Sequence, residues 1–140
     1  MDGVALALCE VATISVRRSQ HLVGGALGLP ARLVTDPLRL GLLSEARLRA
    51  TAASRESVPV DVMEDHVAMS GVAARQVFEV GELVRKVVAV GLVCAARALE
   101  YVGLGSVSSR ARWLCRLMRA AVPTPADDRS IDLGPASRLV

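Results

Sequence analysis

The segment from Met63 to Met69 carries the residues best suited to chemistry, because two adjacent carboxylates, Glu64 and Asp65, precede the imidazole of His66. They stand where a loop leads into a long helical pattern. Adjacent carboxylates at a helix end can have shifted pKa values, which suits general acid–base catalysis. The same residues also suit a helix start, with Asp65 as the cap and Glu64 near the positive end of the helix dipole. The residues alone leave both interpretations open.

Metal binding is the least favoured use of His66, because no second histidine lies one helical turn away. The three cysteines, Cys9, Cys94 and Cys115, are far apart and form no Cys-x-x-Cys pair, so the sequence predicts neither a metal site nor a disulfide framework. Each lies in an apolar run, where a free cysteine packs as a small hydrophobic residue. Free cysteines indicate a reducing, cytoplasmic location.

The composition indicates a helical protein. Apolar residues make up 52% of the 140 residues but aromatic residues only 2%, so the apolar content is aliphatic. Small aliphatic side chains let helices approach closely. A chain of this length can form one compact domain with a real core.

Two classes of partner are not predicted. The net charge of +3 is small, and the arginine-rich stretch from Arg110 to Arg119 lacks the clustered basicity with interleaved aromatic residues of a dedicated nucleic-acid binder. The longest apolar run, Val87 to Ala96, is shorter than the ~20 residues that cross a bilayer. We therefore expect neither nucleic-acid nor membrane binding.

Apolar residues at helical spacing predict four helices in one domain over residues 1–140. We predict helices from Val4 to about Leu22, from Asp36-Pro37 to about Ala53, from about Asp65 to Tyr101, and from about Ser106 to Val122. Residues 123–140 are predicted as a tail with little regular structure beyond one last helical turn. The predicted fold class is all-α, an antiparallel helical bundle with one long central helix.

The side chains of these helices predict how they pack. In the second helix, Glu45 and Arg49 are one turn apart and should form an ion pair. The long helix begins with a polar stripe but is apolar all round from Val87 to Ala96, which predicts partner helices from another chain. The fourth helix places four apolar residues on one side and three arginines on the other. The apolar residues are Trp113, Leu114, Leu117 and Met118, and the arginines are Arg112, Arg116 and Arg119.

Several segments resemble the class I ammonia-lyases, which include the histidine ammonia-lyases. Residues Glu64 to Met69 are similar to the family segment Gln-Glu-Asp-His-Val-Ser-Met. Further resemblances follow in family order over nearly the whole chain. They are Ile14 to Arg18 with Leu-Ser-Glu-Arg-Arg, Gly28 to Val34 with Gly-Leu-Pro-x-Phe-Leu-Val, Ala73 to Arg75 with Ala-Ala-Arg-Lys, Val87 to Leu99 with the later Leu-Ala-x-Glu-Leu-Leu-x-Ala-Ala-x-Ala-Leu, and Pro123 to Arg129 with Val-Pro…Glu-Asp-Arg.

The resemblance implies a mostly helical lyase whose electrophile, a methylidene-imidazolone (MIO), forms from Ala-Ser-Gly. In histidine lyases the glutamate that matches Glu64 lies beside the electrophile and substrate, whereas phenylalanine and tyrosine lyases have glutamine there. The resemblance therefore implies a catalytic role for Glu64, with Asp65 and His66 in substrate binding or support. This chain has no Ala-Ser-Gly, so the MIO group is expected on a companion chain that carries the N-terminal half.

Two functional hypotheses follow. The first is the small subunit of a split MIO-dependent ammonia-lyase or aminomutase, a hetero-oligomer acting on an aromatic amino acid or histidine; the retained Glu64-Asp65-His66 favours it. The second is an inactive, truncated relative that serves as a scaffold or regulator. It is favoured by Met63 in place of Gln, by Arg32 in place of an aromatic residue, and by a shortened segment after Val34.

Overall fold

The computed structural model describes residues 1–25, 28–29, 38–52, 69–123 and 132–140. In these ranges the chain forms helices and no strand, which confirms the all-α prediction. The helices are α1 (Asp2–Val23), α2 (Leu38–Arg49), α3 (Ser70–Val102), α4 (Ser109–Ala121) and α5 (Gly134–Ser137), with one 3-10 turn (Leu104–Ser106) before α4. None of the helices described is long and apolar enough to cross a membrane.

The observed ends of α1 and α4 lie within a few residues of the predicted ends. Helix α4 starts where Ser108 accepts a hydrogen bond from the backbone N–H of Ala111, so this serine is a true N-cap. The predicted last helical turn is α5, with Pro135 in its first turn, where a missing N–H costs nothing. The predicted start of α2 at Asp36-Pro37 lies outside the described residues, and α2 ends at Arg49 rather than near Ala53.

The predicted start of the long helix is wrong. Helix α3 begins at Ser70, and its N-cap is Met69, which gives no side-chain hydrogen bond. The predicted cap Asp65 lies outside the described residues. Ser70 and Gly71 are weak helix formers, and the boundary falls at this pair.

Helix α3 is the central helix, because α1, α2, α4 and α5 all pack against it. At its N-terminal half, Val80, Val84 and Val87 form one core with α1 and α2. Further along, Ala89, Val93 and Ala96 pack against α4 and α5 in a second core. The long helix thus joins two small cores.

The prediction that Val87 to Ala96 packs against helices from another chain stays a prediction, but the chain itself already covers much of this range. Every residue in this range is buried or half-buried within the chain. The reason is that α1 covers one side of this stretch while α4 and α5 cover another. Exposed apolar side chains lie elsewhere, and they include Val11 and Ile14 of α1, Phe78 of α3 and Trp113 of α4.

The placement of Trp113 on the apolar side of α4 is also wrong. Its exposed fraction is 64%, whereas Cys115 and Met118 fill the core at 3% and 2%. Met118 and Cys115 lie one turn apart, and they define the buried face of α4. Trp113 lies outside that face.

Gly91 of α3 lies close to the serine side chains of α1. A Cβ atom at this position would lie 2.6 Å from the Oγ of Ser15 and 3.3 Å from the Oγ of Ser19, and the first of these distances is a clash. Glycine within a helix costs about 1 kcal/mol relative to alanine. Gly91 therefore lowers the intrinsic stability of α3 but leaves room for the serine side chains of α1.

We expect Gly91→Ala to gain little or no stability in the native background but about 1 kcal/mol in a Ser15→Ala background, where the clashing hydroxyl is gone. Urea unfolding of both single variants and the double variant measures this coupling. The matched control is Gly81→Ala on the same helix, where a Cβ meets nothing within 4 Å; it should gain about 1 kcal/mol in either background. Equal gains at Gly91 in both backgrounds would show that the helices do not depend on this contact.

Candidate functional site

The predicted site residues Glu64, Asp65 and His66 lie outside the described residues, so their geometry remains a prediction. The described chain resumes at Met69, one residue before α3 begins. The motif therefore directly precedes the N-terminus of the central helix. The first turn of α3 contains no acidic residue and its N-cap supplies no side-chain acceptor. A helix end of this kind carries partial positive charge and favours a nearby carboxylate.

An ion pair of Arg49 links α2 to α3 near this end. The Nη1 of Arg49 lies 2.7 Å from the Oε2 of Glu79, and its Nη2 lies 2.9 Å from the Oε1 of Glu45. The predicted pair of Glu45 and Arg49 is therefore confirmed, and it extends to α3. These side chains are nearly half exposed to water, which screens their charges, so each pair adds little to stability. Their main effect is to orient α2 along the helix that follows the motif.

A second ion pair joins α3 to α4. The guanidinium of Arg119 donates to both carboxylate oxygens of Glu100, the bidentate arrangement that gives the strongest ion pairs. The hydrogen bonds from Arg119 are the main reason that the pKa of Glu100 lies below its ordinary value, and the positive charges of Arg119 and Arg97 lower it further against the opposing effect of burial.

Because the folded-state pKa of Glu100 is lowered, this carboxylate should stabilise the fold above the ordinary carboxyl pKa. The contribution is lost as the pH falls through the lowered value. We expect Glu100→Gln to cost about 1 kcal/mol at pH 7, and the difference from the parent to shrink as the pH falls below 4. Thermal unfolding between pH 3 and pH 7 measures it. Glu10→Gln is the control, since Glu10 is exposed and has no ion pair in the described parts of the chain. A pH-independent cost at position 100 would contradict this account.

The exposed face of α4 is cationic. Arg110, Arg112 and Arg116 are exposed, whereas Arg119 is held by Glu100. The exposed Trp113 lies among them, which the sequence analysis did not anticipate. The expectation that this face does not bind nucleic acid stays a prediction.

A buried cation was missed from the sequence. Arg39 of α2 is only 7% exposed, and its Nη1 lies 4.0 Å from the Sγ of Cys94 on α3. Its Nε has no hydrogen-bond partner among the described residues. The sequence spacing could have revealed this position, because Arg39 lies one turn before Leu43 and two turns before Ala46 on the face that α2 buries.

The cysteines behave as the sequence predicts. All three are free and buried. Burial is the main cause that raises the pKa of the Cys9 and Cys115 thiols above the ordinary value. A raised pKa disfavours the reactive thiolate, so these two cysteines are packing residues.

The family model for aromatic amino acid lyases matches residues 1–120, so the chain belongs to this family.

Similar proteins agree with this assignment. Histidine ammonia-lyase from Bacillus subtilis is 36% identical over 92% of this chain and 28% of that protein. The enzyme of that name from Natranaerobius thermophilus is 34% identical over 94% of this chain and 29% of its own length. The crystal structure of histidine ammonia-lyase from Trypanosoma cruzi matches with a TM-score of 0.86 at 27% identity, over 99% of this chain and 30% of that chain. The 140 residues thus span less than a third of these relatives.

Proposed function

We propose that this chain is the small subunit of a split ammonia-lyase or aminomutase that acts on histidine or an aromatic amino acid. One observation carries the proposal. The chain matches histidine ammonia-lyases over nearly all of its length, retains Glu64-Asp65-His66, and yet contains no Ala-Ser-Gly. A companion chain would supply that tripeptide.

The residues present do not fit the formation of the MIO group within this chain. Met69-Ser70-Gly71 is the nearest match to Ala-Ser-Gly, but Ser70 and Gly71 form the first turn of α3 and belong to the Glu-Asp-His segment. In the proposed complex the companion chain would supply the electrophile. The part left to this chain is to hold Glu64 next to the substrate.

Glu64 would hold or move a proton in this arrangement. A carboxylate can accept a proton from the substrate or orient its amine, and a positively charged helix end nearby keeps such a carboxylate ionised. Asp65 and His66 would support it through hydrogen bonds. Glutamate rather than glutamine at position 64 favours histidine among the substrates of the family.

Co-expression with a companion chain that carries Ala-Ser-Gly tests the proposal. The expected result is a stable complex that converts histidine, tyrosine or phenylalanine to a conjugated acid, followed by its ultraviolet absorbance. Amino migration would give a β-amino acid instead, which chromatography separates. A stable complex that forms neither product would contradict the catalytic proposal and favour the scaffold function.

The second candidate is an inactive scaffold or regulator. Met63 and Arg32 replace residues typical of the family, and the segment after Val34 is shortened. A scaffold would bind its companion while changing neither product nor rate. Comparison of the companion with and without this chain separates the two functions.

A further inference from the structure

Arg39 of α2 is a buried cation that the proposed catalysis does not use. Its exposed fraction is 7%, and its Nη1 lies 4.0 Å from the Sγ of Cys94 on α3. A thiol sulfur is only a weak acceptor. Among the residues that the structure describes, Arg39 takes part in no ion pair. Because a buried charge is costly unless an opposite charge compensates it, this guanidinium is suited to bind an anion.

The edge of the guanidinium that contains Nε is suited to a carboxylate. The Nε of Arg39 is buried and has no hydrogen-bond partner in the described parts of the chain. In Arg119 the same edge, formed by Nε and Nη2, donates to the two carboxylate oxygens of Glu100. A carboxylate is planar and accepts such a pair of hydrogen bonds. Arg39 therefore has the unpartnered donor that bidentate binding of a carboxylate requires.

The surroundings of this guanidinium favour a ligand with a single negative charge. Cys94 packs with the buried Val90 and with the half-buried Val23 and Leu133, and these four residues are called here the apolar cluster. Removing two charges of a phosphate dianion from water beside such side chains would cost more than removing one. The positive charge of Arg39 would also repel an ammonium group. An acid that lacks an amino group therefore fits better than an amino acid.

Arg39 lies far from the N-terminus of α3, which the Glu64 motif precedes. Cys94 is about 36 Å along the helix from Ser70, because an α-helix advances ~1.5 Å per residue. Within this chain, the guanidinium beside Cys94 is therefore separate from the site proposed for Glu64.

We propose that Arg39 forms a second binding site, whose ligand is a small free monocarboxylate. The carboxylate accepts a hydrogen bond from the Nε of Arg39, and the apolar part of the ligand contacts the apolar cluster. The site discriminates against amino acids, whose ammonium group it repels. In the proposed lyase it would bind the unsaturated acid that the reaction forms rather than the amino acid that it consumes. The site itself does not depend on that activity.

Thermal unfolding and titration calorimetry of the full 140-residue chain with acetate, cinnamate or phenylalanine test this site. Cinnamate and phenylalanine are matched, since both carry a phenyl group and a carboxylate but only phenylalanine carries an ammonium. We expect about 50 mM acetate or cinnamate to raise the melting temperature by about 4 °C relative to sodium chloride at the same concentration, as for a dissociation constant in the millimolar range. Phenylalanine should bind at least about 10-fold more weakly than cinnamate.

The variant Arg39→Met removes the charge but keeps most of the side-chain length. It should abolish the shift with both acids and raise the melting temperature without ligand, because an apolar side chain replaces a buried cation. A second variant, Arg39→Lys, keeps the charge but lacks the planar edge, and should weaken acetate binding by about 10-fold or more. Arg47→Met on the same helix is the matched control, since Arg47 is exposed and donates to the Oγ1 of Thr13. It should keep the full shift.

Circular dichroism checks that each variant keeps the parent helicity. Equal shifts in the parent and Arg39→Met, or no saturable binding of either acid to the parent, would overturn the proposal. Chloride as effective as acetate would show general screening instead of a carboxylate site. Phenylalanine bound as tightly as cinnamate would overturn the discrimination against amino acids. A folded but less stable Arg39→Met would show that existing contacts already compensate the charge, and it too would contradict the site. None of these outcomes affects the split-lyase function, which the co-expression experiment tests.

Discussion

The isolated chain is expected to convert no histidine, tyrosine or phenylalanine, and to gain activity only with a companion chain that carries Ala-Ser-Gly. The reason is chemical, because these 140 residues cannot form the MIO electrophile. Without an electrophile, binding and general acid–base catalysis would have to lower the whole barrier, and one acid–base group supplies only about 10²–10⁴-fold. The expected change on adding the companion is therefore from background to an enzyme-like rate.

The measurement follows the conjugated acid by its ultraviolet absorbance, with the chain alone, the companion alone and both together. The companion alone is the decisive control, since it carries the electrophile but lacks Glu64. We expect it to be inactive or strongly impaired. Turnover by the isolated chain at an enzyme-like rate would exclude the split-enzyme function.

The fold was largely predictable because its helices are defined locally. In α1 and α4 the apolar residues recur at helical spacing, and breakers such as Gly24 and Pro123 lie just beyond the ends. The Glu45–Arg49 pair was predictable for the same reason, since residues four apart on a helix always adjoin.

The features that the sequence analysis did not foresee depend on contacts between helices. Residues Val87 to Ala96 were predicted to need another chain, and the sequence analysis did not foresee that α1, α4 and α5 already bury many of them, because local spacing does not say which helices will meet. Trp113 was grouped with the apolar side of α4 because of its type, whereas α4 buries the smaller Cys115 and Met118. A helix buries the face that fits its neighbour, and that fit is a tertiary property.

The candidate site was predictable only as a sequence motif. Composition and spacing favoured helix capping over acid–base catalysis for Glu64-Asp65-His66 but left both interpretations open. These three residues lie outside the described part of the chain, so the structure does not decide between the two roles. A role for Glu64 in catalysis rests on the family resemblance, and a direct substitution has to test it.

Glu64→Gln should slow turnover of the reconstituted complex by roughly 100-fold or more, with little change in thermal midpoint. Glutamine keeps the shape and most of the hydrogen bonds but can neither accept a proton nor carry charge. If Glu64 only stabilised a helix end, its loss would cost about 1 kcal/mol of stability and leave the rate per folded complex unchanged. The two roles therefore predict opposite patterns of rate and stability.

Glu79→Gln provides the matched control, because it removes the same charge from an exposed ion pair with Arg49 on α3. It should change stability little and leave the rate unaffected, because water screens this exposed pair. The rate and the thermal midpoint are measured for both variants in the complex, and the pH dependence of kcat is recorded.

Loss of the basic group in Glu64→Gln should also remove the acidic limb of that pH profile, which loss of a merely structural residue would not do. An unchanged rate in Glu64→Gln would remove this residue from the mechanism, and a lower midpoint with a matching loss of active complex would assign it to the helix end.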